Sequence, residues 1–207
     1  MAINEIKFFL LLMGCISLCC KKATTKEHPV SSIELSAEKK YFLEVAFGSE
    51  ITTSYNNIRK WEGDVNIFLP DSSLAYLNEE VAKVIDEINT IQKSITLKRV
   101  YKQTESNFII YFGHAEDYVT LYEAATAPYI SANDGMFWIY WNNNYTIYKG
   151  SMYVDYFRIT ESNCERHLVR EELTQALGLM NDSYEYPESI FISRGPVAPH
   201  MLQWIHY

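Results

Sequence analysis

The stretch Cys164–Ser183, C-E-R-H-L-V-R-E-E-L-T-Q-A-L-G-L-M-N-D-S, constrains the fold more than any other part of the chain. At the roughly 100° step of an α-helix, Leu168, Val169, Leu173, Ala176 and Leu177 gather on one broad side. His167, Glu171, Gln175 and Gly178 lie together on the other, with Glu172 on the flank between. Ser162 and Asn163 are capping residue types just ahead of the run, and Gly178 is suited to end it. The pattern predicts a helix docked on a core by one side and presenting His, Glu and Gln from the other.

Residues four apart share a helix face, which is why H-E-x-x-H-x-x-G-x-x-H holds zinc in metallopeptidases. The glycine turns the chain back so that the third ligand reaches the metal. Here the same frame reads Glu171-Glu172-x-x-Gln175-x-x-Gly178-x-x-Asn181, followed by Asp182. Glu172 holds the base position, but the three ligand positions have lost their imidazoles. Glu171 remains an acceptable zinc ligand, whereas Gln175 and Asn181 are neutral oxygen donors better suited to calcium or magnesium, and then with too little charge. His167, one turn before Glu171, adds a nitrogen on the same face. No metal or other cofactor is expected. If zinc or calcium bound, the set would be His167, Glu171 and Gln175. Neighbouring helical residues do not share a face, so Glu171 and Glu172 form no acid–base dyad, while His167 and Glu171 are spaced to pair. The candidate catalytic residues are Glu172, Glu171 and His167.

The wording of this stretch, H-x-x-x-E-E-L-T-Q-A-L-G-L-x-N-D-S followed by Ser189-Ile190-Phe191, resembles the bacterial domain of unknown function 2927. The segments Y-F-L-E-V-A-F-G-S-E (41–50) and I-R-K-W-E (58–62) are similar to it as well. The resemblance runs from about Tyr41 to the C-terminus. It implies a lipoprotein, as many members look like lipoproteins, and it implies no particular reaction.

The N-terminus points the same way. MAINEIK is followed by the apolar run FFLLLMGCISL and then by CCKK, a run fit for a secretory signal and too short to span a bilayer. Leu12-Met13-Gly14-Cys15 is similar to a lipobox, with Cys19 and Cys20 as rival lipid acceptors and Cys20 the leading alternative to Cys15. Residues 1–20 are therefore expected to be a lipoprotein signal peptide and 21–34 a flexible tether, leaving 35–207 as the folded domain. Removing residues 1–20 takes away Glu5 and Lys7, so the domain keeps the formal net charge of −8. Such a charge repels phosphate backbones and excludes nucleic acid as a partner. Anionic membrane is repelled too, which leaves the lipid as anchor to a bacterial membrane, with the domain facing the periplasm or the exterior. Cys164 is the only cysteine beyond the N-terminal cluster, so no disulfide framework forms, and its place on an amphipathic helix makes it structural.

Along the chain, residues 33–50 carry helical spacing, with Phe42, Val45 and Ala46 on one face and an end at Gly48. A strand at Val65–Leu69 is stopped by Pro70, and Asp71-Ser72-Ser73 can cap a long helix from Leu74 to Ser94 striped by Leu74, Leu77, Val81, Val84, Ile85, Ile88 and Ile91. Strands follow at 95–101 and 107–113, a short helix and loop at 114–127, and a hairpin of Met136–Trp141 and Tyr145–Phe157 around Asn142-Asn143-Asn144. Beyond the motif helix, Ser189–Phe191 packs back and Pro199–Tyr207 closes the chain, with Met201 as core filler. The predicted fold is α+β and zincin-like: a mixed twisted sheet with a long helix and a C-terminal motif helix.

In the hairpin, Phe137, Ile139 and Trp141 alternate with Met136, Trp138 and Tyr140, so both faces are apolar or amphipathic. One face suits a core. Trp138 and Tyr140 suit a cleft wall beside the motif helix, as the resemblance to zincins implies. With Gln175, Asn181 and Asp182 they make a candidate binding groove. The leading reading is an envelope lipoprotein with a degenerate metallopeptidase-like groove, a pseudo-enzyme that binds a peptide, glycan or envelope protein. The alternative is a hydrolase with a non-standard ligand set and Glu172 as base.

Overall fold

Strands form where β-branched and aromatic residues run between breakers, and five of the six lie parallel. The computed structural model describes residues 35–47, 57–70 and 74–192. The expectations for residues 1–34 (including Cys15, Cys20 and the tether), Gly48, Asp71–Ser73 and the closing segment with Met201 lie outside the described residues.

The elements are α1 (Ala37–Ala46), β1 (Lys60–Trp61), β2 (Val65–Phe68), α2 (Ala75–Ile91), β3 (Leu97–Val100), β4 (Phe108–Phe112), α3 (Ala115–Leu121), β5 (Gly135–Trp141), β6 (Thr146–Val154) and α4 (Ser162–Gln175). The sheet runs β1-β6-β4-β2-β3, all parallel, and β5 pairs antiparallel with β6 on its other side. Among the described residues the architecture is α+β, with a mostly parallel sheet and four α-helices.

Register sorts the side chains. Phe108, Ile110 and Phe112 stand beside Gly150, Met152 and Val154, and these oppose Ile139, Phe137 and Gly135. This face meets the apolar stripes of α2 (Leu77, Val81, Val84) and α4 (Val169, Leu173), all of them buried. Each such side chain removed from water contributes about 2 kcal/mol. The opposite face meets α3 through Tyr118, Tyr153 and Met136.

Several ends differ from expectation. The α2 stripe holds through Ile88, but Ile91 is 83% exposed. The helix stops there because Gln92 turns extended and its side-chain oxygen accepts the Ser94 and Ile95 N–H groups at 2.9 and 3.2 Å. Asn89 then fastens α2 to β3, donating to and accepting from the Leu97 backbone at 2.8 and 2.9 Å. Phe42 does not share the buried face of Val45 and Ala46: it is 45% exposed, because α1 is moored by its last turn. There Asn181 donates its backbone N–H to Val45 O at 3.2 Å and its amide to Glu44 O at 3.1 Å. Lys60–Trp61, just ahead of the expected first strand, is itself a strand paired with Thr146 and Ile147. Ser162 and Asn163 are not caps: Glu161 holds the cap position without a side-chain bond, and both lie inside the first turn. Gly178 does end the α4 turn, with φ +119°.

Candidate functional site

The polar residues of α4 are less available than helical spacing suggests. His167 and Glu171 meet as expected, Nε2 to Oε2 at 3.5 Å, both partly exposed. Glu172 is buried (8% exposed), aimed at the start of β5, where a Cβ on Gly135 would lie 3.4 Å from its Oε1. A Cβ there would also lie 3.3 Å from Leu168 Cδ2, so Gly135 lets α4 pack closely on the start of β5. Gln175 is 1% exposed and donates its amide to Asp182 Oδ1 at 3.1 Å. It is therefore a buried brace, not a groove-facing residue. The cause is the end of the helix. Trp61 donates its indole N–H to Ala176 O at 3.0 Å, satisfying a carbonyl that the helix end would leave bare, and the return segment closes over it.

The glycine turn does bring the chain back, as the zinc-peptidase frame requires, and it sets Asp182 against Gln175. Asn181, at the third ligand position, is used to moor α1. Glu44 completes that mooring, accepting from Ser183 Oγ at 3.1 Å and from the Tyr184 N–H at 2.7 Å. Trp138 and Tyr140 do not join these residues. Strand alternation turns Phe137 and Ile139 toward α4 and places Trp138 and Tyr140 on the opposite face of the sheet. There Trp138 packs on Tyr129 (ring centroids 5.9 Å) and Tyr140 donates its hydroxyl to the buried Glu123 at 2.6 Å. Burial first, then the Glu123 carboxylate, pushes the Tyr140 phenol up to about 12. On the helix side burial, then Glu165, raises Tyr76 to about 12 as well, so neither phenol is an acid or base near neutrality.

Zinc fits this donor set poorly. His167, Glu171 and Gln175 offer one imidazole, one carboxylate and a buried amide already bonded to Asp182, where zinc wants nitrogen or thiolate and calcium six or more oxygens. Among the described residues, one other group can bring three ligand atoms within 4.8 Å: His114, Glu116 and Asp155. Arg158 already sits among them, with Nε 3.1 Å from Asp155 Oδ2 and Nη2 3.0 Å from Glu116 Oε1. The wholly buried Asp155 also accepts the Ala115 N–H at 3.0 Å and the Phe157 N–H at 3.2 Å, which caps α3 from forty residues away. A cation there must displace the guanidinium.

What lies beside α4 is the outer edge of β5. Asp155 donates its N–H to Asp134 O at 2.8 Å, next to the Gly135↔Val154 pair. The hydrogen-bonded pairs are therefore Met136↔Tyr153, Trp138↔Ser151 and Tyr140↔Lys149. The backbone groups of Gly135, Phe137 and Ile139 point away from β6, along an edge that no other described strand covers. Leu168 and Glu172 flank that edge at Gly135. Helical spacing identified His167, Glu171 and Glu172. Trp61, which bonds the end of α4, and Glu44, which fastens α1 to Ser183 and Tyr184, were visible only as members of the segments 58–62 and 41–50.

Among solved structures, the chain is similar to the crystal structure of myroilysin, at 17% identity and a TM-score of 0.35. The match spans 57% of this chain and 45% of the myroilysin chain, so less than half of that protein is represented. No curated protein matches the chain. The sequence profile described as "Protein of unknown function (DUF2927)" matches residues 36–196, most of the length and all of the elements above. The chain belongs to the DUF2927 family.

Proposed function

We propose that this chain is a non-catalytic, zincin-like binding protein of the bacterial cell envelope, lipid-anchored through Cys15 or Cys20, which holds an extended peptide along the outer edge of β5. The observation that carries this reading is the outward-facing backbone of Phe137 and Ile139 beside α4, an edge closed at its buried Gly135 end by Leu168 and Glu172. An extended peptide adds to such an edge by main-chain hydrogen bonds, and alternate side chains reach the neighbouring helix. The positions where a metallopeptidase keeps its ligands support a binder: Glu171 pairs with His167, Gln175 braces Asp182 and Asn181 moors α1.

The test screens the full chain, produced without an affinity tag, against immobilised random decapeptides. The best binder is then re-made with backbone N-methyl groups at alternate residues. The reading expects loss of binding with one methylation register and retention with the other, no stoichiometric metal, and peptide recovered intact. Equal binding in both registers refutes strand addition. Stoichiometric metal with peptide cleavage that disappears in Glu172→Gln replaces the reading with the hydrolase one. Mass spectrometry of the mature N-terminus identifies the lipidated cysteine, and an unmodified N-terminus removes the anchor from the proposal.

A further inference from the structure

Where α1 meets the segment after α4, the surface holds a groove of about 460 Å³ whose walls include Ala37, Glu38, Tyr41, Tyr186, Glu188 and Ile190. That volume is in the range of sites for small groups. Tyr41 and Tyr186 meet edge to face, with centroids 4.9 Å apart and planes at 62°. Both phenols are fastened, Tyr41 to Ser189 Oγ at 2.7 Å and Tyr186 donating to Ala37 O at 3.1 Å. The aromatic walls are therefore set before any ligand arrives.

The charge around the groove has one sign. Glu38 and Glu188 are exposed on its lining, and among the described residues no Lys or Arg lines it. Burial, then Glu185, Glu44 and Glu38, lifts the Tyr186 phenol above its ordinary value, so further carboxylates act on the same spot. Lys39 follows Glu38 on α1 on the side opposite Ala37 and Tyr41, and Lys40, on the other flank of that side from Glu38, is not part of the lining. A helix N-terminus attracts anions, but Glu38 fills that role itself. Its own backbone N–H and the Ser36 hydroxyl hold its carboxyl below the usual range.

We propose that this groove takes the arginine side chain of a partner polypeptide. A guanidinium is planar, lies against tyrosine, and bonds carboxylates through a fork of N–H donors. A quaternary ammonium makes none of those hydrogen bonds. The site lies on α1 and the 186–190 segment, and it stands or falls independently of the β5 edge.

The test titrates the full chain with N-acetyl-arginine amide, with N-acetyl-citrulline amide as its neutral isostere, and with phosphocholine. The aromatic NMR resonances of Tyr41 and Tyr186 report binding. Arginine amide is expected to move both resonances with a millimolar Kd, at least tenfold tighter than citrulline amide, and more weakly as salt is raised. Glu38→Gln and Glu188→Gln should each weaken it about fivefold, the factor an exposed ion pair supplies. Both glutamates are exposed, so the double variant should stay folded by circular dichroism, with at most a small fall in melting temperature from loss of the Glu38 charge at the α1 N-terminus. Citrulline amide binding as well as arginine amide, phosphocholine binding more tightly, an unchanged Kd in the folded double variant, or no shift with any probe overturns the proposal.

Discussion

Replacing Gly178 by alanine places a methyl group where the backbone of another element already lies. The added Cβ would sit 2.0 Å from Arg59 O and 3.0 Å from Arg59 C, and the residue has φ +119°, which L side chains rarely adopt. The dihedral alone costs about 1–3 kcal/mol. The contact adds to it, since Arg59 is 1% exposed and precedes β1 directly, so the strand must move. Moving it strains the Trp61 indole bond to Ala176 O, now 3.0 Å, worth about 1 kcal/mol. The total is about 2–4 kcal/mol, a fall in melting temperature of about 5–15 °C for a domain of this size. Thermal and urea unfolding followed by circular dichroism measure it, with the near-ultraviolet tryptophan signal reporting on Trp61. Gly63→Ala is the control, because nothing lies within 4 Å of a Cβ there. If Gly178→Ala stays within about 0.5 kcal/mol of the parent, the ordinary range of surface changes, the account of the α4 terminus is wrong.

Further outcomes are expected. Arg170 donates to the buried Glu80 at 2.7 Å across α2 and α4, so Arg170→Ala should cost about 1–3 kcal/mol in urea unfolding, and a cycle with Glu80→Gln should recover part of it. Asp155→Ala strips the buried cap from Ala115 and the partner from Arg158, with an expected loss of about 2–4 kcal/mol and faster hydrogen exchange in α3 than in α2. Tyr76 and Tyr140, each raised to about 12, keep their protons longer in the folded state than in the unfolded chain, where a phenol titrates near 10. Their contribution to stability is thus complete below pH 10 and is lost as pH rises toward 12. Ultraviolet titration should show late-ionising tyrosines that normalise in denaturant.

Local pattern carried the α2 stripe from Leu77 to Ile88, the α4 residues Val169 and Leu173, and the hairpin around Asn142, because each follows from a period of 3.6 or 2 and a turn signal. The His167–Glu171 pair was legible for the same reason. Gln175 was not. A helical wheel assigns it to the polar side, yet Trp61 arrives from elsewhere in the chain onto Ala176 and the turn at Gly178 brings Asp182 back against Gln175. Trp138 and Tyr140 were assigned to the groove because the sequence shows that both hairpin faces are aromatic without showing which one α4 covers. Phe42 and the strand at Lys60–Trp61 depended likewise on partners more than eighty residues away.

The bonds from Glu44 to Ser183 and Tyr184, with a separation of 140 residues between Glu44 and Tyr184, close the described chain into a ring. A polypeptide emerges N-terminus first, from a ribosome or from a secretion pore. Helix α1 is delivered well before the residues that moor it. At roughly 5–20 residues per second its partner trails it by about 7–28 seconds of synthesis. During that interval Val45 and Ala46 have nowhere native to go, so any factor that guards the nascent chain has its longest task at this helix.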